Sequence, residues 1–334
     1  MSASPKNIGN VYPERLRKEM EEALSFTAPV FEMSGEILES RKEDFAEVEF
    51  IFSTWGMFSL SREEIRAFFP ALKAVFYSAG TVQAFARPFL SEGVKVFSAW
   101  AANAIPVAEM TVSEILLANK GFFQRYHHGP KSTWENRENV GAGKDMYQGN
   151  YGANVGLIGA GMVGKAVIRL LKNYRLNVLV YDPFLKDSAA EELGVKKVDD
   201  LYSLFESCPV VSNHLANNKE TVGMLDYECF RRLMPYSTFI NTGRGAQVVE
   251  EDLARAMKED QTRVSLLDVT IDEPPKKDSP LLTCPNIFLT PHIAGSLYHE
   301  VERMGEYMFE EYKKLTEGEE VLYEVTMEML KTMA

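Results

Sequence analysis

Residues 155–182 constrain the fold more than any other part of the sequence. An apolar run leads into Gly159-Ala160-Gly161-Met162-Val163-Gly164, and a helical pattern follows directly. The next apolar run ends at Asp182, 18 residues beyond Gly164. A strand, a glycine-rich turn, a helix and a second strand that ends in an acid are typical of a dinucleotide-binding βαβ unit. An ordinary glycine-rich turn with an unrelated aspartate is the alternative, which this ordered context disfavours.

Each residue of the glycine-rich turn has a physical role in such a unit. Gly159 permits the tight turn, Gly161 lets a pyrophosphate approach the helix, and Gly164 lets the helix pack against the strand. The first helical residues, Met162 and Val163, offer unpaired N–H groups at the positive end of the helix dipole. The turn is therefore predicted to bind the phosphates of a dinucleotide.

Asp182 indicates which dinucleotide is bound. Its carboxylate would accept hydrogen bonds from the adenosine ribose and would repel a 2′-phosphate. The next two residues, Pro183 and Phe184, include no arginine that could pair with such a phosphate. We therefore expect NAD rather than NADP as the cofactor.

Short apolar runs alternate with helical patterns along most of the chain, which predicts parallel sheets built from βα units. Helices are expected at residues 107–121 and from 297 to about 315. We expect one series of strands at residues 50–52, 74–77 and 95–97. A second series is expected at 155–158, 178–181, 210–212, 238–241, 265–268 and 287–290, as in a doubly wound sheet.

Charge and composition exclude several classes of partner. The formal net charge of −12 disfavours nucleic acid and anionic membranes, since both require a basic face. The three cysteines are widely spaced, as expected in a reducing compartment, and no metal-ligand spacing occurs. The first residues carry charges too early for a signal peptide, and no apolar run is expected to approach the roughly 20 residues of a membrane span. These observations predict a cytoplasmic protein.

Polar residues follow three of the predicted strands in the second half of the chain. The segments are Asn241-Thr242-Gly243-Arg244-Gly245, Asp268-Val269-Thr270-Ile271-Asp272-Glu273 and Thr290-Pro291-His292-Ile293-Ala294-Gly295. In a doubly wound sheet, the carboxyl ends of the strands converge on the crevice that binds ligands. We therefore expect these three segments to lie close together.

In these segments and in the glycine-rich turn, the chain resembles the D-isomer-specific 2-hydroxyacid dehydrogenase family. The resemblance runs from about residue 94 to residue 318 and is specific in VGLIGAGMVG, NTGRGAQVVEEDL, LDVTIDEP and LTPHIAGS. It implies a catalytic set of Arg244, Glu273 and His292, with Asp268 beside the nicotinamide. Further expected cofactor contacts are His214, Thr242, Gly243, His292 and Gly295; for His214 a structural role is equally open.

The chemistry of a 2-oxo acid agrees with these roles for Arg244, Glu273 and His292. One guanidinium, that of Arg244, can bond the carboxylate and the carbonyl in a planar fork. His292 can supply the proton that the carbonyl oxygen needs near neutral pH. Glu273 would fix the tautomer of His292 and favour its charged form by raising its pKa. Taken singly, each of the three could be an ordinary surface or loop residue; their joint order favours function.

The substrate loop departs from the family pattern. The family usually has Gly-x-Gly-x-Asp-Asn after the third strand, and this chain has Ser78-Ala79-Gly80-Thr81-Val82-Gln83. The backbone N–H groups of Gly80 and Thr81 are the expected carboxylate site. Trp55 is a candidate pocket wall, as is Trp100, although both could be core residues. A Trp55 that lines the pocket would favour a substrate larger or more apolar than glyoxylate.

The expected architecture is α/β, with two Rossmann-like lobes. A doubly wound NAD-binding domain at residues 107–296 is inserted in a flavodoxin-like substrate domain made of residues 1–106 and 297–334. The resemblance implies a homodimer, with the segment around Trp134 as a candidate contact. Two alternatives stay open: a non-catalytic NAD-sensing corepressor on this fold, and another reaction such as formate oxidation. Formate enzymes have glutamine at the position of Glu273, which disfavours the latter.

Overall fold

The computed structural model describes residues 5–27, 34–127 and 147–331. The chain divides into a first unit, Met1–Ala104 with Ser296–Ala334, and a second unit, Ile105–Gly295. The boundaries expected from the sequence lie two residues and one residue away from these. The second unit is therefore an insertion in the first.

The elements follow one another in a largely alternating order. The strands are β1 (Phe50–Ser53), β2 (Ala74–Tyr77), β3 (Lys95–Ser98), β4 (Tyr151–Ile158), β5 (Arg175–Tyr181), β6 (Lys196–Val198), β7 (Val210–Asn213), β8 (Thr238–Asn241), β9 (Val264–Leu267), β10 (Ile287–Leu289) and β11 (Glu324–Val325). The α-helices are α1 (Pro5–Val11), α2 (Glu14–Ala23), α3 (Gly35–Ser40), α4 (Lys42–Phe45), α5 (Arg62–Phe68), α6 (Ala86–Ser91), α7 (Trp100–Ala118), α8 (Phe122–His127), α9 (Met162–Leu171), α10 (Asp187–Leu193), α11 (Leu201–Ser207), α12 (Tyr227–Phe230), α13 (Glu250–Glu259) and α14 (Glu300–Glu317).

The first unit contains a four-stranded sheet in the order β1-β2-β3-β11. The first three strands are parallel, and β11 pairs antiparallel to β3. Phe52, Phe76 and Phe97 stack across the sheet, with centroid separations of 5.0 and 4.8 Å. Met304 and Met308 of α14 are fully buried in the same core. Residues from both ends of the chain therefore build one hydrophobic core.

The second unit contains a seven-stranded sheet of parallel strands in the order β10-β9-β8-β7-β4-β5-β6. Along β8, Phe239 joins the core beneath α11 to α13, and Ile240 joins the core beneath α7 and α9. Because alternate residues of a strand face opposite sides, helices cover both faces of the sheet. The predicted fold class, α/β with an inserted doubly wound domain, is confirmed.

Two strands are missing from the sequence prediction, β6 and β11. In β6, Lys196 and Lys197 replace the apolar run that marks a buried strand, because β6 lies at the edge of its sheet. The strand β11 has only two residues, too few to show a periodicity. Both strands are defined by their pairing with a neighbour, which local sequence does not record.

Helix α7 begins seven residues before its predicted start at residue 107. Pro106, a residue type favoured at the first turn of a helix, lies inside this one. Ala102, Ala108 and Ile115 are fully buried along it, and this burial outweighs the hydrogen bond that proline removes.

The prediction that no apolar run approaches a membrane span is wrong for this helix, because its 19 residues are long and apolar enough. Half of that stretch is buried inside the protein, as in a core helix.

Candidate active site

The glycine-rich turn joins β4 to α9 in the second unit. Gly159 has a φ of +94°, and a Cβ there would lie 2.8 Å from the carbonyl oxygen of His214. A Cβ on Gly164 would lie 2.2 Å from the carbonyl oxygen of Gly159. Only glycine fits these two positions, because the turn, the helix and the loop after β7 are in direct contact.

The start of helix α9 is suited to an anion. No side chain caps the helix at Gly161, and a Cβ on Gly161 would meet open space. Met162, the first helical residue, is 45% exposed, and Val163 follows it. The unpaired N–H groups of this first turn therefore face an open cradle, which fits the pyrophosphate of a dinucleotide.

Asp182 follows β5 and lies beside the same turn. Its Oδ2 accepts a hydrogen bond from the backbone N–H of Ala160 (2.7 Å), and its Oδ1 accepts one from Phe184 (2.8 Å). A carboxylate has about four acceptor positions, so two remain for the hydroxyls of a ribose. Asp182 thus shapes the turn in addition to its expected contact with the cofactor.

We expect Asp182→Ser to weaken the discrimination against NADPH by about tenfold or more, because it removes a negative charge at the ribose position. The KM for NADH should rise as well, since serine cannot hold both backbone N–H groups. Initial rates with NADH and NADPH check this result. Asp187→Ala is the matched control, because it removes a nearby negative charge whose side chain is 87% exposed. An unchanged ratio in Asp182→Ser would contradict the proposed contact.

His214 lies behind the turn, after β7. The residue is 8% exposed, and its Nε2 lies 3.0 Å from Ser212 Oγ. Its Nδ1 is buried without a hydrogen-bond partner among the described residues. Burial lowers the pKa of His214 to about 4. A neutral imidazole that supports the turn is what these contacts indicate, and its backbone carbonyl is the part nearest to Gly159.

The lowered pKa of His214 makes the folding stability depend on pH. An unfolded histidine binds its proton below about pH 6.5, whereas the folded protein excludes this proton until about pH 4. The neutral His214 thus makes its full contribution to the free energy of unfolding above pH 6.5, and this contribution is lost as the pH falls from 6.5 to 4. Between pH 7 and pH 5, we expect the free energy of unfolding of the wild type to fall by about 2 kcal/mol more than that of His214→Gln. Urea unfolding measures the difference, with the exposed His299→Gln as control; parallel losses would contradict the assignment.

Arg244 stands in the turn after β8. Its side chain is half-buried, and its Nη1 donates a hydrogen bond to the carbonyl of Gly243 (2.8 Å). The guanidinium forms no ion pair with any described residue. Burial lowers the pKa of Arg244, and the nearby charge of Glu273 acts in the opposite direction. Arg244 is therefore a desolvated cation that still has donors to offer to an anion.

Three buried amide side chains that the sequence analysis did not select hold this turn. Asn213, Asn241 and Gln247 are fully buried. Asn213 Nδ2 donates to Asn241 Oδ1 (3.0 Å) and to Gln247 Oε1 (2.6 Å). The network also binds backbone groups of Leu215, Ala216, Gly243 and Arg244. It fixes the backbone of Arg244 relative to the loop after β7.

The other two residues of this turn are closely packed. Thr242 is buried, and its Oγ1 lies 2.8 Å from the hydroxyl of Thr111 in α7. A Cβ on Gly243 would lie 3.3 Å from side-chain atoms of Asn213 and Asn241. The expected cofactor contacts at Thr242 and Gly243 would therefore be made by backbone groups.

The segment that carries Glu273 packs directly on the Arg244 turn. A Cβ on Gly245 would lie 2.0 Å from the carbonyl carbon of Thr270, so the two backbones touch. Glu273 Oε1 accepts a weak hydrogen bond from the backbone N–H of Thr270 (3.4 Å). The backbone N–H of Ile271 donates to Glu250 Oε1 at the start of α13 (2.8 Å). These contacts position Glu273 near Arg244.

His292 and Glu273 form a pair. His292 Nδ1 lies 2.7 Å from Glu273 Oε2, and the two side chains are 50% and 41% exposed. Nε2 of His292 has no hydrogen-bond partner within the described part of the chain. The pair thus fixes the ring through one nitrogen and leaves the other available to a ligand. The structure brings Arg244, Glu273 and His292 together in the second unit.

Asp268 organises the loop that carries His292. His292 has a φ of +54°, and its N–H donates to the carbonyls of Asp268 and Thr290. The buried Asp268 carboxylate accepts hydrogen bonds from Thr290 Oγ1 (2.6 Å), Ile293 N (2.8 Å) and Ala294 N (2.8 Å). A left-handed backbone at a histidine persists where its surroundings over-determine it, as they do here. Gly295, which ends the loop, is half-buried.

Glu114 is a further buried acid that the sequence analysis did not select. It lies on α7, and burial, followed by the charge of Asp268, raises its pKa to about 8. Its Oε2 is buried without a hydrogen-bond partner among the described residues. The neutral acid therefore prevails at neutral pH, and a second charge beside Asp268 is avoided. The apolar helical run contains two acids, Glu109 and Glu114, and these were the signal in the sequence.

Gly80, Thr81 and Trp55, three of the predicted substrate residues, lie in the first unit, whereas Arg244 and His292 lie in the second. Gly80 is half-buried, Thr81 is exposed, and both follow β2. Trp55 follows β1 and is 39% exposed. Trp100 is half-buried and packs edge-on against Tyr323, with the ring centroids 6.0 Å apart.

Comparisons with known proteins identify the family of the second unit. Residues 113–294 match the model of the D-isomer specific 2-hydroxyacid dehydrogenase family, NAD binding domain. A D-3-phosphoglycerate dehydrogenase of Methanocaldococcus jannaschii is 31% identical over 228 residues, 68% of this chain and 42% of that protein. A glyoxylate reductase of Korarchaeum cryptofilum is 35% identical over 169 residues, 51% of each chain. The match therefore spans less than half the length of the phosphoglycerate dehydrogenase.

A solved structure gives the same fold. A phosphoglycerate oxidoreductase from Rhizobium etli superimposes with a TM-score of 0.76, covering 98% of both chains at 20% identity. The family model covers more than half of the chain, includes the glycine-rich turn and extends through the His292 loop to residue 294. The open cradle at Gly161 and the acid at Asp182 are the features expected of the NAD binding domain that this family model describes. NAD is the cofactor of the second unit. The chain belongs to the D-isomer specific 2-hydroxyacid dehydrogenase family.

Proposed function

We propose that the protein is an NAD-dependent oxidoreductase that interconverts a D-2-hydroxy acid and the corresponding 2-oxo acid. The observation that carries the proposal is the His292–Glu273 pair, with a separation of 2.7 Å, beside the half-buried Arg244. The second unit supplies the catalytic residues in this proposal, and Gly80, Thr81 and Trp55 remain candidate substrate-binding residues. The family to which the chain belongs supports it.

His292 is the general acid and base. In reduction, its Nε2–H donates a proton to the carbonyl oxygen of the oxo acid, and in oxidation Nε2 accepts the proton of the hydroxyl. Glu273 holds Nδ1, so that the ring keeps one orientation, and its charge stabilises the imidazolium. When bound, NAD supplies the hydride donor or acceptor at the carbon that carries this oxygen.

Arg244 binds and polarises the substrate. A guanidinium offers parallel N–H donors, which match the carboxylate and the adjacent carbonyl of a 2-oxo acid. Because Arg244 is half-buried and lacks an acidic partner among the described residues, a bound carboxylate would compensate a charge that is already desolvated. The bonds to the carbonyl oxygen strengthen as this oxygen gains negative charge.

A screen of NADH oxidation with a panel of 2-oxo acids tests the proposal. We expect turnover with at least one member and none without an oxo acid. Binding of NADH without turnover of any oxo acid would instead favour the non-catalytic corepressor. The glutamate at position 273 continues to disfavour formate oxidation, and oxidation of formate by the wild type would revise this view.

Two further proposals concern the setting of the enzyme. We expect a cytoplasmic homodimer, and sedimentation of the purified chain tests its mass. The segment around Trp134, the candidate dimer contact, lies outside the described residues. That no membrane or nucleic acid is a partner also stays a prediction.

A further inference from the structure

The loop that follows β7 begins against the glycine-rich turn of the second unit. We call residues 214–218 the β7 loop. A Cβ on Gly159 would lie 2.8 Å from the carbonyl oxygen of His214 and 3.2 Å from the backbone nitrogen of Leu215. The β7 loop therefore packs directly on the turn whose open cradle fits a dinucleotide.

Gln247 joins the β7 loop to the turn that carries Arg244. This fully buried glutamine closes the short 3-10 turn that follows Arg244. Its Nε2 donates to the carbonyls of Leu215 (2.7 Å) and Ala216 (3.0 Å), and its Oε1 accepts from Asn213 Nδ2 (2.6 Å). These three hydrogen bonds use both N–H groups and the oxygen of the Gln247 amide.

Only one orientation of the Gln247 amide satisfies these partners. If the amide rotated by half a turn, its oxygen would face the two carbonyl oxygens of the β7 loop, and its NH₂ group would face that of Asn213. All three hydrogen bonds would be lost, and unpaired buried polar groups are strongly unfavourable. The amide is therefore a rigid link between the β7 loop and the Arg244 turn.

Asn213 and Asn241 extend this link to the guanidinium. Asn213 Nδ2 also donates to Asn241 Oδ1 (3.0 Å). The same oxygen accepts from the backbone N–H of Gly243 (3.0 Å), and Asn241 Nδ2 donates to the carbonyl of Arg244 (3.1 Å). Arg244 Nη1 in turn donates to the carbonyl of Gly243 (2.8 Å). An unbroken series of hydrogen bonds therefore runs from the β7 loop to the side chain of Arg244.

We propose that Gln247 is a positioning residue that makes the binding of an anionic substrate at Arg244 depend on the cofactor. A ligand at the glycine-rich turn restricts the motion of the β7 loop. Gln247 passes this restriction through Asn213 and Asn241 to the backbone that carries the guanidinium. An anion that binds afterwards removes less conformational entropy, so it binds more tightly. The proposal rests on the function proposed above, in which Arg244 binds an oxo acid.

Direct electrostatics between the two ligands has the opposite sign. The pyrophosphate of the cofactor is negatively charged, and it repels a second anion in the same unit. An increase in anion affinity after the phosphates have bound therefore cannot arise from their charge. Such an increase has to pass through the protein, and the amide series provides a route.

Binding of oxamate in the presence of ADP-ribose tests the proposal without turnover. Oxamate has a carboxylate beside a carbonyl group and is not reduced. ADP-ribose has the adenosine and the pyrophosphate of NAD but no nicotinamide that could touch oxamate. Calorimetry measures the affinity of the wild type for oxamate with and without saturating ADP-ribose. We expect ADP-ribose to raise this affinity by about fivefold or more, and oxamate to raise the affinity for ADP-ribose by the same factor.

Gln247→Leu assigns the effect to the amide, because leucine cannot make the three hydrogen bonds. The main chain stays held, since the carbonyl of Gln247 accepts from the backbone N–H of Leu225 (2.9 Å). In this variant ADP-ribose should change the oxamate affinity by less than about twofold. Gln247→Glu keeps the oxygen that faces Asn213 but loses the donors to the β7 loop. It should show the same loss, and it replaces the leucine variant if that variant does not fold.

Gln124→Leu is the matched control. Gln124 is a buried glutamine of the same unit, and its Nε2 donates to the carbonyls of Tyr236 (3.1 Å) and Ser237 (3.3 Å) and to Thr238 Oγ1 (3.2 Å). These bonds lie at the start of β8, whereas Asn241 ends that strand. Both leucine variants should lose stability towards urea, but Gln124→Leu should keep the wild-type increase in oxamate affinity.

The possible outcomes separate the role of Gln247 from the dehydrogenase function. If ADP-ribose does not raise the oxamate affinity of the wild type, or raises it equally in Gln247→Leu, the role of Gln247 is overturned and the dehydrogenase function is intact. If oxamate does not bind the wild type with either ADP-ribose or NADH, the role of Arg244 in that function is overturned, and the role of Gln247 with it.

Hydrogen exchange follows the restriction itself and needs no second ligand. ADP-ribose should slow the exchange of the backbone N–H groups of residues 243–247 in the wild type, where the N–H of Gly243 is held by Asn241 Oδ1 (3.0 Å). This slowing should be absent in Gln247→Leu, whereas the effect of a direct contact with ADP-ribose would persist there. Equal slowing in the two proteins would overturn the proposed route.

Discussion

His292→Ala is expected to lower kcat for 2-oxo acid reduction by about 10²- to 10⁴-fold, the usual contribution of a positioned acid–base residue. The ring of His292 is oriented through Nδ1 by Glu273, and its Nε2 has no partner among the described residues that would compete with the substrate. Alanine removes the only group that we propose as proton donor, but it leaves the glycine-rich turn and Asp182 untouched. The affinity for NADH should therefore remain within about twofold of the wild type.

Stopped-flow and steady-state kinetics, with a fluorescence titration of NADH, check this result. The matched control is His299→Ala, because His299 is also paired with an acid, Glu302 (2.8 Å), but its side chain is 81% exposed. The control should keep wild-type rates. The kcat of Glu273→Gln should lie between those of His292→Ala and His299→Ala, since glutamine can still hold the ring of His292 but cannot stabilise its charge. Wild-type turnover by His292→Ala would remove the residue from the mechanism.

Arg244→Lys is expected to lower kcat/KM for the oxo acid by about 10²- to 10³-fold, with most of the loss in KM. The guanidinium offers a planar pair of donors, and an ammonium at the same place offers a single point charge. The amide network of Asn213, Asn241 and Gln247 holds the Arg244 backbone in both proteins, so the fold should be unaffected.

Progress curves over a range of oxo acid concentrations separate KM from kcat. Arg231→Lys is the control, since this arginine is paired with Glu228 (2.8 Å) on the surface. Equal midpoint temperatures of thermal unfolding for the variants would show that the loss of kcat/KM arises in the site and not from unfolding. If Arg244→Lys kept the wild-type KM, the carboxylate would have to be bound elsewhere, and Gly80 and Thr81 would become the main site.

The sequence predicted those parts of the protein whose local pattern is strong. The glycine-rich turn, Asp182 and the residues after β8, β9 and β10 each stand next to an apolar run, and the strand ends of a doubly wound sheet converge. The family resemblance then assigned roles to Arg244, Glu273 and His292. Those roles remain proposals, although the structure places the three residues together.

The remaining features depend on contacts between distant residues. Nothing local marks Asn213 and Gln247 as partners, because each has the appearance of an ordinary polar residue near a strand end. The need for glycine at position 245 arises from the backbone at Thr270, which is 25 residues away in sequence. Asp268 was selected as a cofactor contact, and its hydrogen bonds to the His292 loop became visible only with the loop itself.

The interrupted course of the first unit has a consequence for the order of folding. Residues 105–295 are continuous, so the second unit can complete its sheet while the ribosome is still adding the remainder of the chain. The first unit cannot, because the core that holds Tyr12 and Phe97 is closed by Met304 and Met308 of α14, and β11 covers the edge of β3. The part of the nascent chain made first is thus the last to reach its native state. Damage to residues 296–334 would appear as a failure of residues 1–104 to fold.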